Sequence, residues 1–309
     1  MKFIRGLYNL SPEQKGCVVT IGNFDGMHCG HIELLKKLNA KAEQLQLPAT
    51  VIIFEPQPNE YFGGAKTPPR LMRLREKLSV LQAQGVQQVL CLRFDKTLAA
   101  LSAEQFVEQI LIAGLQIKHL IIGDDFRFGY QRLGDFELLQ RYAMSHNFTV
   151  DKIHTFLMQD ERVSSSRVRR ALEVGDLKIA EYLLGRPFTL SGRVAHGDKR
   201  GRIIGFPTAN IYLHRKAVPI AGVYVVKMHG ITRAGLPGVA NVGTRPTVGG
   251  TRSLLEVHLF DFNRDIYGRH VEVEFIKKLR DEKRYDSFEL LKEQIFKDAA
   301  QARQFFMLD

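Results

Sequence analysis

Cysteine is scarce in this chain: three residues in 309, Cys17, Cys29 and Cys91, widely spaced and absent from the last two-thirds. An odd number at such spacing builds neither a disulfide framework nor a four-cysteine metal site, so the fold has to rest on a packed core. No apolar run is long enough to span a bilayer. The opening residues set Arg5 among Phe3, Ile4, Leu7 and Tyr8 and never develop the uninterrupted stretch of a secretory signal. A soluble, cytoplasmic protein without a membrane partner is the expectation. There is no internal repeat, and no Walker-type lysine motif is present.

What the chain does have is ordinary globular stock, 45% hydrophobic and 25% charged, at a length that favours two domains. A formal charge of +11 favours anionic partners: nucleic acid, a membrane surface or nucleotide phosphates. The longest basic clusters, Arg167 to Arg170 and Lys199 to Arg202, are short and lie beside Ser or Gly. That suits local phosphate binding better than a polyanion track, and no nucleic-acid partner is expected.

Up to about residue 184, short β-branched runs alternate with longer amphipathic stretches. Strands are expected at Val18 to Ile21, Thr50 to Phe54, Val89 to Leu92, Leu120 to Ile122 and Thr149 to Ile153. Helices are expected near His31 to Leu45, Leu71 to Gln84, Glu104 to Leu111 and Phe136 to Ser145. Alternation of this kind implies a doubly wound parallel sheet with helices on both faces. From Pro187 the texture becomes short strands punctuated by Gly and Pro: Phe188 to Val194, Gly222 to Met228, Ile231 to Ala234, Gly238 to Val242, Leu254 to Phe260 and His270 to Phe275. These read as a small antiparallel β-barrel, with His229-Gly230 as a hairpin turn and a final helix from Ser287 to about Phe306. The domains expected are therefore 1–184 and 185–309.

Directly after the first of these strands comes Gly22-Asn23-Phe24-Asp25-Gly26-Met27-His28-Cys29-Gly30-His31. A strand-to-helix turn in a doubly wound sheet offers free backbone N–H groups and the positive end of a helix dipole to a phosphate. His28 and His31, three residues apart at a helix start, lie on one side and can both donate to a phosphate under attack. The bland alternative is a Gly-rich turn with incidental histidines. A His28–Cys29–His31 metal site is disfavoured, because Cys29 points away and no fourth ligand is evident.

Ser164-Ser165-Ser166-Arg167-Val168-Arg169 opens a later helix, as a polyphosphate clamp or simply as a Ser-capped basic helix. Gly123-Asp124-Asp125-Phe126-Arg127-Phe128-Gly129 follows a strand at the carboxyl edge of the sheet. Its aromatics can stack a planar ring and its carboxylates can order a phosphate or Mg²⁺, unless Phe126 and Phe128 pack inward.

The first half resembles the adenylyltransferase module of prokaryotic bifunctional riboflavin kinase/FAD synthetases, a nucleotidyltransferase branch marked by His-x-Gly-His and a late Ser-Ser-x-x-x-Arg. The resemblance implies that His28 and His31 contact ATP at the α-phosphorus, with Gly22, Phe24 and Gly30 in the same nucleotide-binding turn. It implies that Ser165, Arg167 and Arg169 hold the phosphate chain. Asn23, Asp25 and Asp125 are implied near FMN, ATP and metal, with Asp125 at flavin or metal, and Phe126 and Phe128 are the expected aromatics at the flavin ring. The family often has Thr where Ser166 stands, which keeps the hydroxyl, and Asn is known where Asp125 stands.

In the second half, Gly192-Arg193-Val194-Ala195-His196-Gly197-Asp198-Lys199-Arg200-Gly201-Arg202 forms a glycine-rich basic loop suited to wrapping phosphates, and Gly205-Phe206-Pro207-Thr208-Ala209-Asn210 follows. Thr208 and Asn210, two apart on an extended segment, can present oxygens to one Mg²⁺. Glu256 shares a face with Leu254 and His258: either the barrel's wet face, or a carboxylate aimed at a site where it accepts the proton of an attacking hydroxyl.

This half is similar to the riboflavin kinase fold through Gly-Phe-Pro-Thr-Ala-Asn, Asn241-Val242-Gly243-Thr244-Arg245-Pro246, Glu256-Val257-His258 and Leu279-Arg280-Asp281-Glu282-Lys283. The resemblance implies Thr208 and Asn210 as Mg²⁺ and nucleotide ligands, Glu256 as the base, and Arg280 and Glu282 at the flavin. Gly192, Gly197 and Gly201 are expected at the ATP phosphates. The two resemblances together imply that riboflavin and ATP give FMN and ADP, and that FMN and ATP then give FAD and pyrophosphate, with Mg²⁺ in both steps. Two rivals stand beside that reading. One is a nucleotidyltransferase head with a non-catalytic flavin-sensing barrel. The other is an RNA-binding protein, since His-x-Gly-His also occurs in aminoacyl-tRNA synthetases, although no anticodon-like extension or aromatic platform is present.

Overall fold

The computed structural model describes residues 1–64, 67–196, 205–215, 217–247 and 250–308. The chain divides into two compact units, Met1–Pro68 with Met72–Ser164, and Pro69–Leu71 with Ser165–Asp309.

The first unit is a parallel sheet of β1 (Lys2–Arg5), β2 (Val18–Ile21), β3 (Ala49–Glu55), β4 (Gln88–Arg93), β5 (His119–Gly123) and β6 (Thr149–Ile153), in the order β1-β4-β3-β2-β5-β6. Its helices are α1 (Cys29–Leu45), α2 (Pro58–Gly63), α3 (Leu74–Ala83), α4 (Lys96–Ala99), α5 (Ala103–Phe106), which continues as a wide π-turn over Val107–Gly114, and α6 (Phe136–His146). A short hairpin, β7 (Leu157–Met158) and β8 (Glu161–Arg162), follows β6.

Side-chain alternation builds both faces. Val18, Val51, Ile53, Val89 and Ile121 join Leu35, Leu38 and Leu81 in one core. Val19, Ile52, Leu90, Leu120 and Ile122 join Phe106, Ile110 and Leu139 in the other. Period-2 strands buried on both sides give this result. Leu35 and Leu38 are fully buried, and each such side chain contributes roughly 1.5–3 kcal/mol. The order of connections reverses at β2, which pairs with β3 on one side and β5 on the other. A crevice therefore opens at the carboxyl end of β2, where the Gly22 to His31 turn begins.

The second unit holds α7 (Ser165–Val174), α8 (Leu177–Leu184) and a closed antiparallel barrel of β9 (Thr189–Ala195), β10 (Ala209–Tyr212), β11 (Gly222–His229), β12 (Leu236–Thr247), β13 (Gly250–Leu259) and β14 (His270–Arg280), followed by α9 (Phe288–Phe305). Ser287 caps α9, its Oγ accepting from the Leu290 N–H at 3.2 Å. Val223, Val225 and Val239 on the barrel's outer face pack with Phe206, Phe260, Ala299 and Ala302 under this helix.

The expected fold class holds, with corrections of detail. Ile231 to Ala234 is not a strand: Met228 already pairs with Leu236, so the intervening residues form the hairpin's connection, with Gly230 and Gly235 at φ 96° and 77°. β10 is an additional strand, sewn between β9 and β13. The compact division also falls ahead of α7, whereas the change of sequence texture lies at Leu184 to Pro187. The reason is packing of the α7–α8 corner on the barrel: the Lys278 stem occupies the space a side chain at Gly175 would need.

Candidate active sites

The β2–α1 turn is built around two histidines. His28 is the N-cap of α1, and its Nδ1 accepts the His31 N–H at 3.3 Å. An accepting Nδ1 leaves the proton of the neutral ring on Nε2, which becomes a donor. The His28 and His31 rings stack, centroids 3.6 Å apart and 17° from parallel, so the expected common side is observed. Gly30 lies close to the pair: a Cβ there would stand 3.3 Å from the His28 ring and 3.4 Å from the Phe156 Cβ. His28 is 7% exposed and His31 half-buried.

The rest of the turn supports the pair. Phe24 is buried at φ 47°, its ring 5.0 Å from that of His31. The Gly22 N–H donates to the Ile52 carbonyl at 3.1 Å. Asp25 is 2% exposed, and its Oδ1 accepts the Met72 N–H at 3.0 Å, just ahead of α3. The Asn23 carbonyl accepts from Lys77 Nζ.

At the β5 exit, Asp124 accepts from the Thr155 N–H and hydroxyl at 2.8 Å. Burial works against its charge, but the Thr155 bonds and the nearby Arg162 outweigh it and hold the carboxyl below its usual range. Asp125 is exposed and ion-paired with Arg162 of β8. Phe128 is a core residue, 7% exposed and packed on Phe106, so it does not present its ring to a ligand in this arrangement. Phe126 stacks on it and is half-buried.

Ser165, Arg167 and Arg169 lie on α7 in the second unit. Arg169 Nε donates to the Pro69 carbonyl at 2.8 Å, and Arg215 Nη1 donates to the carbonyls of Arg70 and Leu71 at 3.0 and 3.2 Å.

On the barrel, Asn210 of β10 pairs with Glu256 of β13, which pairs with Asn241 of β12 on its other side. Directly paired residues project to the same face, so the three polar side chains form one row. Leu255 and Val257 are fully buried while Leu254, Glu256 and His258 are half-exposed, which puts Glu256 on the outer face. Thr208 lies just ahead of β10, two residues before Asn210.

His258 fixes the approach of the Phe206-Pro207 segment. Its Nδ1 bonds the Pro207 carbonyl at 2.8 Å and its ring stacks on Phe206 at 3.7 Å. Burial lowers its pKa below the ordinary 6.5, against a raising effect of the Pro207 bond. Gly192 is a close-approach position, where a Cβ would stand 2.4 Å from the Tyr212 carbonyl oxygen. Gly197 and Gly201 lie outside the described residues.

Arg280, expected at the flavin, is tied to the C-terminal helix. Its Nε and Nη2 donate to Asp298 of α9 at 2.7–3.0 Å and its Nη1 to the Asp281 carbonyl. The Asp298 bond raises the guanidinium pKa. Glu282 lies against Gly243, leaving no room for a side chain there.

The FAD synthetase family model matches residues 10–167 and the riboflavin kinase model residues 184–306. The bifunctional riboflavin kinase/FMN adenylyltransferase of Escherichia coli (strain K12) is 52% identical over 309 residues, 100% of this chain and 99% of that protein. The protein of the same name from Haemophilus influenzae is 50% identical over 306 residues, 99% of each.

The chain belongs to the bifunctional riboflavin kinase/FMN adenylyltransferase family.

A solved structure described as a macrolide-efflux protein from Streptococcus pneumoniae also superposes with a TM-score of 0.82 at 32% identity, covering 96% of this chain and 97% of that one. No helix among the described residues here is long and apolar enough to cross a membrane. The FAD synthetase match takes in Ser165 and Arg167, running past the compact division ahead of α7.

Two features of this family member escaped sequence reasoning. One is the Arg162 partner of Asp125, delivered by a hairpin too short to show a period. The other is an aromatic shelf beyond the carboxyl ends of β3 and β4: Tyr61 and Phe62, 41% and 70% exposed, against Phe94 at 5.4 and 5.7 Å. The adjacent aromatics Tyr61 and Phe62 in the short helix after β3 were the available signal.

Proposed function

We propose that the barrel phosphorylates riboflavin and the β2–α1 turn then adenylylates the FMN produced. In the first step the ribityl hydroxyl attacks the γ-phosphorus of ATP, Glu256 accepts its proton, and ADP leaves. The observation that supports this role is the Asn210–Glu256–Asn241 row, which sets a carboxylate among neutral hydrogen-bonding side chains on one face. Glu282 is the flavin-side residue, and Gly197 and Gly201 belong to the phosphate-binding sequence, whereas Gly192 is a buried strand position of β9 packed against the Tyr212 carbonyl and not part of a loop.

In the second step an FMN phosphate oxygen attacks the α-phosphorus of a second ATP and pyrophosphate leaves. His28 Nε2–H and His31 donate to the phosphate under attack, while Gly22, Phe24 and Gly30 shape the turn. Donors aimed at developing charge are the main source of acceleration in such a step, each worth about 10²- to 10³-fold. Ser165, Arg167 and Arg169 hold the pyrophosphate, and membership of the first two in the FAD synthetase match supports this. Asn23, Asp25, Asp125 and Phe126 line the flavin side, with the Tyr61–Phe62 shelf as a stacking surface.

Mg²⁺ suits the hydroxyl and amide oxygens of Thr208 and Asn210. Among the described residues no group of three His, Cys, Asp or Glu could cage a metal, in keeping with an ion held largely by substrate phosphates and water. When bound it neutralises phosphate charge. Asp125, ion-paired with Arg162, is a second oxygen donor near the adenylylation turn. Dependence of both steps on ATP supports a cytoplasmic location, and neither step calls for nucleic acid or membrane.

Chromatography of products from riboflavin, ATP and Mg²⁺ tests the assignment. His28→Ala with His31→Ala accumulates FMN and makes no FAD. Glu256→Ala makes no FMN from riboflavin yet converts supplied FMN to FAD. Loss of both activities in either variant contradicts two separate sites.

A further inference from the structure

Lys77 on α3 is fully buried, among the largest side chains in the protein with almost no exposure. Burying an ammonium costs several kcal/mol unless it is compensated, so a lysine in this position calls for a reason. A leucine would fill the same volume in a helix whose neighbouring Leu81 is core. Nothing in the proposed chemistry uses Lys77 directly.

Its Nζ donates to the carbonyl oxygen of Asn23, inside the β2–α1 turn. The same turn is gripped a second time by the lead-in to α3, where the Met72 N–H donates to the buried Asp25 carboxylate. At the far end of the helix pair, Asn39 of α1 donates its Nδ2 to the Gln84 carbonyl that closes α3, at 2.6 Å. α3 is thus tied to both ends of the turn-and-helix unit that carries His28 and His31. The turn itself contains strained positions, with Phe24 and Met27 at φ 47° and 46°. Such conformations persist only where the surroundings over-determine them. A charged donor is also stronger than a neutral one by roughly twofold.

We infer that Lys77 is a positioning residue for adenylyl transfer: its buried ammonium fixes the Asn23 carbonyl and thereby the strained turn that presents His28 and His31. The inference rests on the proposed placement of adenylylation at this turn. It assigns Lys77 no contact with substrate. Displacing a catalytic pair by a fraction of its working distance lowers turnover rather than binding, by about 10- to 100-fold.

The test uses the full chain, which carries its own control in the kinase reaction. Lys77→Met keeps the apolar stem and removes the ammonium. It is expected to lower kcat for FAD formation from FMN about 10- to 100-fold with KM for ATP within about threefold, while FMN formation from riboflavin stays at the wild-type rate. If Lys77→Met does not yield folded protein, the same split is read in Lys77→Arg, which keeps the charge and shifts the donor. Wild-type FAD formation in the variant overturns the inference, and so does an equal fall of both activities with a lowered unfolding midpoint, which marks a role in stability alone. His31→Ala is run beside them. If it too makes FAD normally, the placement of the site has failed; if it makes none while the Lys77 variant is unaffected, only the Lys77 role has failed.

Discussion

The His28 and His31 rings lie 3.6 Å apart and nearly parallel, and Gly30, between them in the chain, lies against the His28 ring. A methyl group at that position meets the His28 ring on one side and Phe156 on the other. Gly30→Ala is therefore expected to unstack the pair and reduce FAD formation about 10- to 100-fold. Riboflavin phosphorylation in the same preparation stays unchanged. Steady-state assays of the two reactions check this, and equal activity in both would show that the stack is dispensable.

His28 occupies an N-cap, where Ser, Thr, Asp and Asn are the usual residues. Imidazole chemistry at that position comes with weaker capping. His28→Ser should raise the thermal midpoint of the first unit, by a gain of about 0.5–1 kcal/mol, while abolishing FAD synthesis. Thermal unfolding followed alongside product analysis separates the two effects.

His258 carries a pH signature. Burial holds its folded-state pKa below the ordinary 6.5, so between that lower value and 6.5 the unfolded chain binds more protons than the folded one. Stability is fully present above about 6.5 and falls as pH drops through the window. His119, buried beside Asp151 and Thr149, is shifted in the same direction by burial. His258→Asn keeps an N–H for the Pro207 carbonyl and removes one titrating group. Its unfolding midpoint should fall less steeply on acidification than that of the wild type, read by thermal melts from about pH 7 to pH 5.

Asp298 anchors α9 to β14 through Arg280 and also accepts from Gln294 at 2.8 Å. Removing one partner of a buried pair strands the other, so Asp298→Ala should destabilise the barrel by about 2–3 kcal/mol. The helix covers the outer face beside the Glu256 row, through Phe296 on Phe206. Kinase activity should fall with temperature earlier than FAD formation does. Activity-temperature profiles of the two reactions show whether it does.

The fold was largely legible because the strands announce themselves. Val18, Val19 and Ile21, or Val89, Leu90 and Cys91, are apolar runs that alternate between two cores, and only a doubly wound sheet buries both sides. β1 and β10 were not legible, the first being four residues bounded by Lys2 and Arg5 and the second holding the polar Asn210. The common side of His28 and His31 follows from helical spacing alone. Asp25 and Lys77 do not follow, because a carboxylate in a turn and a lysine in an amphipathic helix both read as solvated. Their burial depends on the 72–77 segment crossing the turn. The partner of Arg280 was not legible either, because Asp298 lies 18 residues on, in another element. Alternation put Glu256 on one face with Leu254 and His258 and left open whether that face is solvated or a site, and only the register with Asn210 and Asn241 shows the row to which it belongs.

In the proposed function, one chain directs attack on ATP at two different phosphorus atoms from two separate sites. Isotope tracing reads this directly: riboflavin is incubated with ATP labelled at either the γ- or the α-phosphorus, using wild-type protein and His31→Ala. In the wild type, γ-label enters both FMN and FAD while α-label enters FAD alone; in His31→Ala, γ-label still enters FMN and α-label goes nowhere. Transfer of α-label into FMN, or loss of γ-label transfer in His31→Ala, would contradict it.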